Sequence, residues 1–261
     1  MTQHYTFGDT QRAAQRLHRL ADVFDAYSRQ LLERYAPPEV TLAVDLGAGI
    51  GRTTALLHDS IRAERTVGLE ASERFVTIAR AESNQPTIEF IQHDITQQPF
   101  PTPPAQVLFS RFLLTHLSAP ATVLAAVRTA ALPGASLLCE ETASLDCDSP
   151  VFTRYYELVA AMQEHYGQSL GIGRDLAALA EQGGWKVREA GVRALELRAA
   201  AMAELHAMNI ATWKSDPYAQ AHFDADELAS LERSLKAIAD GLESCSPVAC
   251  GFAYLVAKRQ R

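Results

Sequence analysis

Apolar positions change their period along this chain, and the changes mark its elements. Between residues 10 and 35, Leu17, Leu20, Phe24, Tyr27, Leu31 and Tyr35 recur every three or four positions, which predicts one long amphipathic helix. Pro37-Pro38 ends it. Short unbroken apolar runs then alternate with helical patterns. Leu42–Leu46 reads as a buried strand, Arg52–Ile61 as a helix and 67–70 as a second strand. Ser72 caps a helix carrying Phe75 and Ile78, and Ile88–Gln92 is a third strand. A proline-rich loop over 99–104 leads to a strand at 107–110. Ser118 and Pro120 open a helix with Leu124 and Val127, Pro133-Gly134 reads as its end, and 136–140 is a fifth strand.

The texture changes after residue 145. Helices are predicted over 150–166 and 174–182, the second ended by Gly183-Gly184. A strand covers 185–197, and two more helices cover 200–214 and 225–242. Asp224 and Glu227 fit a capping box for the last helix. A closing strand at 248–257 places Val248, Cys250, Phe252, Tyr254 and Val256 on one side. The alternation of strand and helix over the first half predicts an open parallel sheet with helices on both faces. Binding sites on such sheets lie at the carboxyl ends of the strands, so Asp45, Glu70, Asp94, Ser110 and Glu140-Glu141 are the positions that matter.

Composition narrows the class. The chain has 261 residues, 48% of them hydrophobic, enough for a sizeable core. Its formal charge is −7, and its basic residues are scattered. The densest groups, Lys258-Arg259-Gln260-Arg261 and Arg12, Arg16 and Arg19 on the first helix, read as solvated surface, so no nucleic-acid partner is expected. No stretch reaches the roughly 18 apolar residues of a membrane span, and Met1-Thr2-Gln3-His4-Tyr5 has no signal pattern, so a cytoplasmic protein without a membrane partner is expected. Cys139 reads as a small core residue, Cys245 and Cys250 as a structural pair, and no metal site is expected from the cysteines.

The chemistry begins at Val44-Asp45-Leu46-Gly47-Ala48-Gly49-Ile50-Gly51-Arg52, an apolar strand running into three glycines and then a helix. Such a turn lets a ligand approach the backbone closely. The leading carboxylate and the missing Walker lysine argue against a triphosphate. Glu70, at the end of the second strand, suits the two hydroxyls of a ribose, and Asp94, after the third, suits an exocyclic amine. Three carboxylates at successive strand ends beside a glycine turn describe a nucleoside site.

In these residues the chain resembles a class I S-adenosylmethionine-dependent methyltransferase of the small-molecule type. The glycine turn, Gly68-Leu69-Glu70-Ala71-Ser72, Gln92-His93-Asp94-Ile95, the segment from Ser110 through Leu117, and Leu132-Pro133-Gly134-Ala135-Ser136 are similar to that family's motifs in order. The resemblance implies a doubly wound, Rossmann-like α/β sheet of seven strands in the order 3-2-1-4-5-7-6, the last antiparallel, with helical lid additions. It implies one domain over 1–261: an N-terminal lid and helix (1–36), a cofactor-binding core (40–141), substrate-cap insertions around strand six (145–245) and the final strand (248–257).

It also implies S-adenosylmethionine as cofactor, S-adenosylhomocysteine as product and no metal. Gly47, Ala48, Gly49 and Gly51 would admit the homocysteine and ribose part, Asp45 the methionine amino group, Glu70 and Ala71 the ribose, Asp94 and Ile95 the adenine. Ser110 and Arg111 would meet the amino-acid end largely through backbone, and Tyr5 and Arg12 would close over the cofactor. Two other readings stand beside it. A dinucleotide oxidoreductase needs G-x-G-x-x-G, but Arg52 and Thr54 stand where the third glycine belongs. A non-catalytic binding or regulatory subunit of the same fold is the other.

Transfer from a sulfonium is an in-line displacement in which positioning dominates, and a base is needed only when the nucleophile arrives protonated. His116, His206 and Glu141 are the candidate bases. His206 shares a helix with Met202 and Trp213, and the three either face a pocket or pack in the core. Aromatic and soft side chains in the cap segments suit a small-molecule acceptor. The methylated atom, N, O or C, and the choice between monomer and homodimer stay open.

Overall fold

The structure, a computed structural model, describes residues 8–260. Seven strands form one sheet in the order β3-β2-β1-β4-β5-β7-β6. They are β1 (Leu42–Leu46), β2 (Arg65–Glu70), β3 (Ile88–Gln92), β4 (Ala105–Arg111), β5 (Ala131–Asp146), β6 (Lys186–Leu197) and β7 (Val248–Lys258). β1 to β5 pair in parallel, while β7 runs antiparallel to both neighbours, as the resemblance implied. All five residues of β1 are buried, which is why it reads as an unbroken apolar run with Asp45 inside it.

Nine α-helices cover the sheet among the described residues. They are α1 (Gln11–Tyr35), α2 (Arg52–Ile61), α3 (Glu73–Glu82), α4 (Pro120–Val127), α5 (Pro150–His165), α6 (Leu176–Gln182), α7 (Ala199–Trp213), α8 (Pro217–His222) and α9 (Ala225–Ala239). Ser72 Oγ accepts from the Phe75 N–H at 3.2 Å and Asp224 accepts from the Glu227 N–H at 2.8 Å, but the capping box read for α9 is only half formed, because the Glu227 carboxylate takes Arg154 instead of the Asp224 N–H. Each such cap stabilises its helix by about 1 kcal/mol.

Three further details differ from the sequence expectations. Pro133-Gly134 does not end α4, which stops at Val127; both residues lie inside β5, which starts at Ala131. There the Gly134 N–H bonds to the Arg259 carbonyl at 3.0 Å, outside the β4 ladder. Arg16 is not solvated surface: with Ser28 it lies on the buried face of α1, 6% exposed. The near thiol pair is Cys147 and Cys245, with sulfurs 3.8 Å apart, not Cys245 and Cys250.

The core has two main parts. One fills the layer between the sheet and α4 and α6, around Val44, Leu108, Leu137 and Trp185. The other joins α5, α7 and α9 to the far end of β5 and β7, around Phe152, Met202, Trp213 and Phe252. Burying an aliphatic or aromatic side chain contributes roughly 1.5–3 kcal/mol, so the cap has its own apolar reason to form. Ion pairs fix α1 across the carboxyl ends of the strands. Asp25 accepts from Arg111 at 2.9 Å and Arg52 at 3.2 Å, and Arg111 also donates to Ser28 at 2.9 Å. Among the described residues no helix is long and apolar enough to cross a membrane.

Candidate functional site

The glycine turn after β1 is shaped by backbone that only glycine adopts easily. Gly49 has φ +54° and Gly51 φ +87°. A Cβ on Gly51 would lie 2.7 Å from the Phe90 ring, and one on Gly49 would meet Leu17 of α1 at 3.1 Å. The Gly47 and Ala48 N–H groups both donate to the Leu69 carbonyl at 2.9 Å, which locks the turn to β2.

Asp45 sits beneath this turn, 1% exposed. Its Oδ2 accepts from the Thr53 and Thr54 hydroxyls, each at 2.7 Å. Its Oδ1 is buried without a hydrogen-bond partner. Burial pushes its pKa up to about 6, against the pull of the two hydroxyls. A buried carboxylate oxygen lacking a donor is costly unless a ligand supplies one, and a ligand ammonium would do so.

Glu70 has both oxygens on backbone: Oε2 accepts from Gly49 N–H at 2.8 Å and Oε1 from Ser72 N–H at 2.9 Å. It ties the glycine turn to the end of β2, and each oxygen keeps a second lone pair. Desolvation raises its pKa, and the backbone donors oppose that. The neighbouring Ala71 carbonyl takes the Gln92 amide at 3.2 Å. Asp94 closes a turn through Oδ1, which accepts from the Thr96 N–H at 2.9 Å and its hydroxyl at 2.7 Å. Ile95 is buried beside it. Ser110 is buried at the end of β4, and the side chain of the next residue, Arg111, turns to α1 rather than to the glycine turn. Arg12 is exposed on α1, and Tyr5 lies outside the described residues. The residues fit the nucleoside site read from the sequence: Asp45, the glycine turn, Glu70 and Asp94 stand at three successive strand ends.

Next to that cleft lies a cavity of about 100 Å³. α1 contributes Arg16 and Phe24, the β4 end Phe112 and His116, α5 Tyr155 and Gln163, and α7 His206 and Asn209. His206 is stacked on Tyr155 with ring centres 4.1 Å apart, and its Nε2 meets the Tyr156 hydroxyl at 3.1 Å. Burial and the Arg16 charge push the pKa of both His116 and His206 down to about 3, so both imidazoles are neutral at pH 7. His206 and Met202 line the cavity, whereas Trp213 packs in the core.

Glu141 does not line it. Its Oε1 accepts from the Leu113 N–H at 2.8 Å and the Leu114 N–H at 2.6 Å, and burial raises its pKa to about 8. It holds the turn that carries Phe112, which has φ +53°, a strained conformation for a bulky residue. Arg16 and Phe112 are the site residues that sequence reasoning missed. The signal for Arg16 was available, because 16, 20 and 24 share one helical stripe with Leu20 and Phe24. Nothing in the sequence marks the backbone strain at Phe112.

The sequence family described as a methyltransferase domain matches residues 43–134, which run from β1 to the start of β5 and hold Asp45, Glu70 and Asp94. Residues 43–134 form a class I methyltransferase domain. S-adenosylmethionine is the cofactor of that class. The chain is 29% identical over 128 residues to a trans-aconitate 2-methyltransferase of Azoarcus sp., covering 49% of each protein, and 30% identical over 117 residues to one of Acidovorax sp.. The matches thus span about half the length of these relatives.

Among solved structures, a putative methyltransferase of Bacillus halodurans superposes with a TM-score of 0.61 at 14% identity, over 90% of this chain and 100% of that one. A phosphoethanolamine N-methyltransferase of Haemonchus contortus, bound to phosphomonomethylethanolamine and S-adenosylhomocysteine, gives 0.60 at 15% identity, over 98% of this chain and 59% of that one. At such identities these likenesses concern the fold. The seven-strand order with an antiparallel β7 is the methyltransferase arrangement.

Proposed function

We propose that the chain transfers a methyl group from S-adenosylmethionine to a small molecule bound in the cavity beside the glycine turn. The observation that carries this reading is the unpartnered Oδ1 of buried Asp45, set under the turn where a methionine ammonium would complete its hydrogen bonding. Glu70 and Asp94 stand at the ends of the adjacent strands β2 and β3, an order that suits a ribose followed by an adenine, and the trans-aconitate methyltransferase relatives support a small-molecule acceptor.

The cofactor supplies the activated methyl group; the chain supplies position. α1 and the β4 end bring an acceptor in the cavity against the cofactor turn, and α5 and α7 of the cap wall the cavity. Orientation of this kind is worth up to about 7–11 kcal/mol of the barrier. The proposed cofactor ligands are Asp45, Gly47, Ala48, Gly49, Glu70, Ala71, Asp94, Ile95, Ser110 and Arg111 through its backbone. Titration calorimetry with S-adenosylhomocysteine tests the reading. The native chain is expected to bind it, and Gly49→Val, which places a branched side chain at φ +54° against Leu17, is expected to lose binding while keeping its circular dichroism. A native chain that gives no heat with either nucleoside refutes it.

A further inference from the structure

Two thiols meet behind the cap, outside residues 43–134. Cys147 lies between β5 and α5, and Cys245 lies in the 240–247 segment between α9 and β7. Their sulfurs are 3.8 Å apart. The sheet brings them there. Asp146 pairs with Ala249 at the end of the antiparallel β5–β7 ladder, so the chain just beyond that pair runs side by side, and the Cys147 thiol reaches the Ser246 carbonyl at 3.5 Å. All four cysteines are free, and among the described residues no third ligand joins these two in a metal site. The chemistry open to the pair is therefore sulfur on sulfur.

Access to the two thiols is unequal. Cys245 is half-buried, in a segment whose other residues are exposed. Cys147 is 8% exposed and lines a surface groove of about 500 Å³. Burial pushes its thiol pKa up, which lowers its thiolate fraction and makes it the slower first attacker. We propose that Cys147 and Cys245 form a thiol–disulfide exchange site for low-molecular-weight disulfides of the glutathione type, and that its closure braces the α5 wall of the cavity.

The exchange balances in two steps. The Cys245 thiolate attacks one sulfur of the oxidant, the oxidant's S–S bond breaks, and one small thiolate leaves. Cys147 loses its proton and attacks the Cys245 sulfur of the mixed disulfide, and the second small thiolate leaves. Two protein thiols and one small disulfide become one protein disulfide and two small thiols. Two electrons pass to the oxidant, and its two thiolates take up the two protons. The protein sulfurs must close from 3.8 Å to about 2.05 Å, and the 240–247 segment, which belongs to no helix or strand, can follow. Such a pair stays as thiols in a reducing compartment and closes when the disulfide pool rises.

Closure acts on the cap. Cys147 stands just before α5, whose Tyr155 and Tyr156 line the cavity, and Tyr156 meets His206 of α7. In the thiol form α5 is tied to α9 by the exposed Arg154–Glu227 pair, and exposed pairs of this kind hold weakly. A covalent link between residues 98 apart in sequence restrains the chain far more. The sulfur chemistry stands whether or not the cavity takes a methyl acceptor.

The native chain equilibrated across a series of reduced-to-oxidised glutathione ratios, acid-quenched and mapped by mass spectrometry, tests the proposal. At oxidising ratios the chain is expected to lose two hydrogens, with Cys147 and Cys245 in one linked peptide and only Cys139 and Cys250 open to alkylation after denaturation. Cys147→Ser is expected to stop at a mixed disulfide, one glutathione on Cys245, and Cys245→Ser to gain neither modification. The oxidised chain is expected to melt several degrees higher, with amide exchange in α5 slowed at least about threefold. Its S-adenosylhomocysteine affinity is expected to stay within about twofold of the reduced chain's. No disulfide at any ratio, a disulfide between other cysteines, or equal α5 exchange in the two states overturns the proposal. The peptide map of the native chain decides even where a variant does not fold. Absent nucleoside binding is a different failure, one that removes the methyl-transfer reading and leaves the thiol result intact.

Discussion

Asp45 carries the sharpest consequence at the scale of single residues. Its pKa of about 6 in the unliganded chain reflects burial, and among the described residues its hydrogen-bond donors are the Thr53 and Thr54 hydroxyls. Binding an ammonium requires the carboxylate form. Above pH 6 that form is already present and affinity is flat; below pH 6 a proton must leave first, and affinity falls about tenfold per unit. Asp45→Asn removes both the charge and this dependence. Calorimetry between pH 5 and 8 is expected to show a slope on the acid side for the native chain only. At pH 7.5 the variant is expected to bind about ten- to a hundredfold more weakly, the range of a lost hydrogen bond to a charged group.

Between elements, the turn after β4 links the two halves of the site. Glu141 accepts two backbone N–H groups there, and the same turn places Leu113 against Gly47, where an added Cβ would lie 2.8 Å from Leu113 Cδ1. Glu141→Ala leaves two buried donors unsatisfied, at roughly 1–3 kcal/mol each. Its melting temperature is expected to fall by several degrees, with S-adenosylhomocysteine affinity reduced as Leu113 loosens. Glu141→Gln keeps the acceptor at Oε1 and is expected to stay close to the native chain in both measurements at pH 7. The parallel half of the sheet was legible in the sequence because β1, β2 and β4 are buried on both faces and read as apolar runs. The strand-end carboxylates followed from it. Less legible was what depends on contacts between distant elements. Arg16 and Ser28 occupy a buried helix face that apolar periodicity passes over, and β5 takes in Pro133-Gly134 because β7 and Arg259, not β4, meet that segment. The short α8 between two predicted helices has too few residues to show a period.

Over the whole molecule, buried titratable groups set opposing limits on stability. His206, 5% exposed, has a folded pKa near 3 against about 6.5 when free. A histidine with a depressed folded pKa contributes stability that is complete above the free value and is lost as pH falls from 6.5 toward 3. At pH 5 the loss for this one group is about 2 kcal/mol. His116 acts in the same sense. Glu141 acts oppositely. Its folded pKa is raised to about 8 from 4.5, so its contribution is complete below 4.5 and is lost progressively as pH rises through 8. Asp45 shares that sign over the narrower window from 3.8 to about 6, and so offsets part of the histidine loss on the acid side. From these groups, native stability is expected to be highest near pH 6.5, to fall toward pH 8, to drop slightly toward pH 6 and to stay nearly level from there to pH 4.5. Thermal melts from pH 4.5 to 9 check this with two variants. His206→Gln, which cannot be protonated, is expected to melt lower at neutral pH but to gain stability from pH 6 to 4.5, where the native chain stays level. Glu141→Gln is expected to flatten the alkaline limb and to make stability fall below pH 6, where it no longer offsets the histidine loss. If His206 were instead required for turnover, His206→Gln would lose activity at temperatures well below its melting point. With a neutral imidazole of pKa near 3 in an apolar wall, the loss expected is in melting temperature.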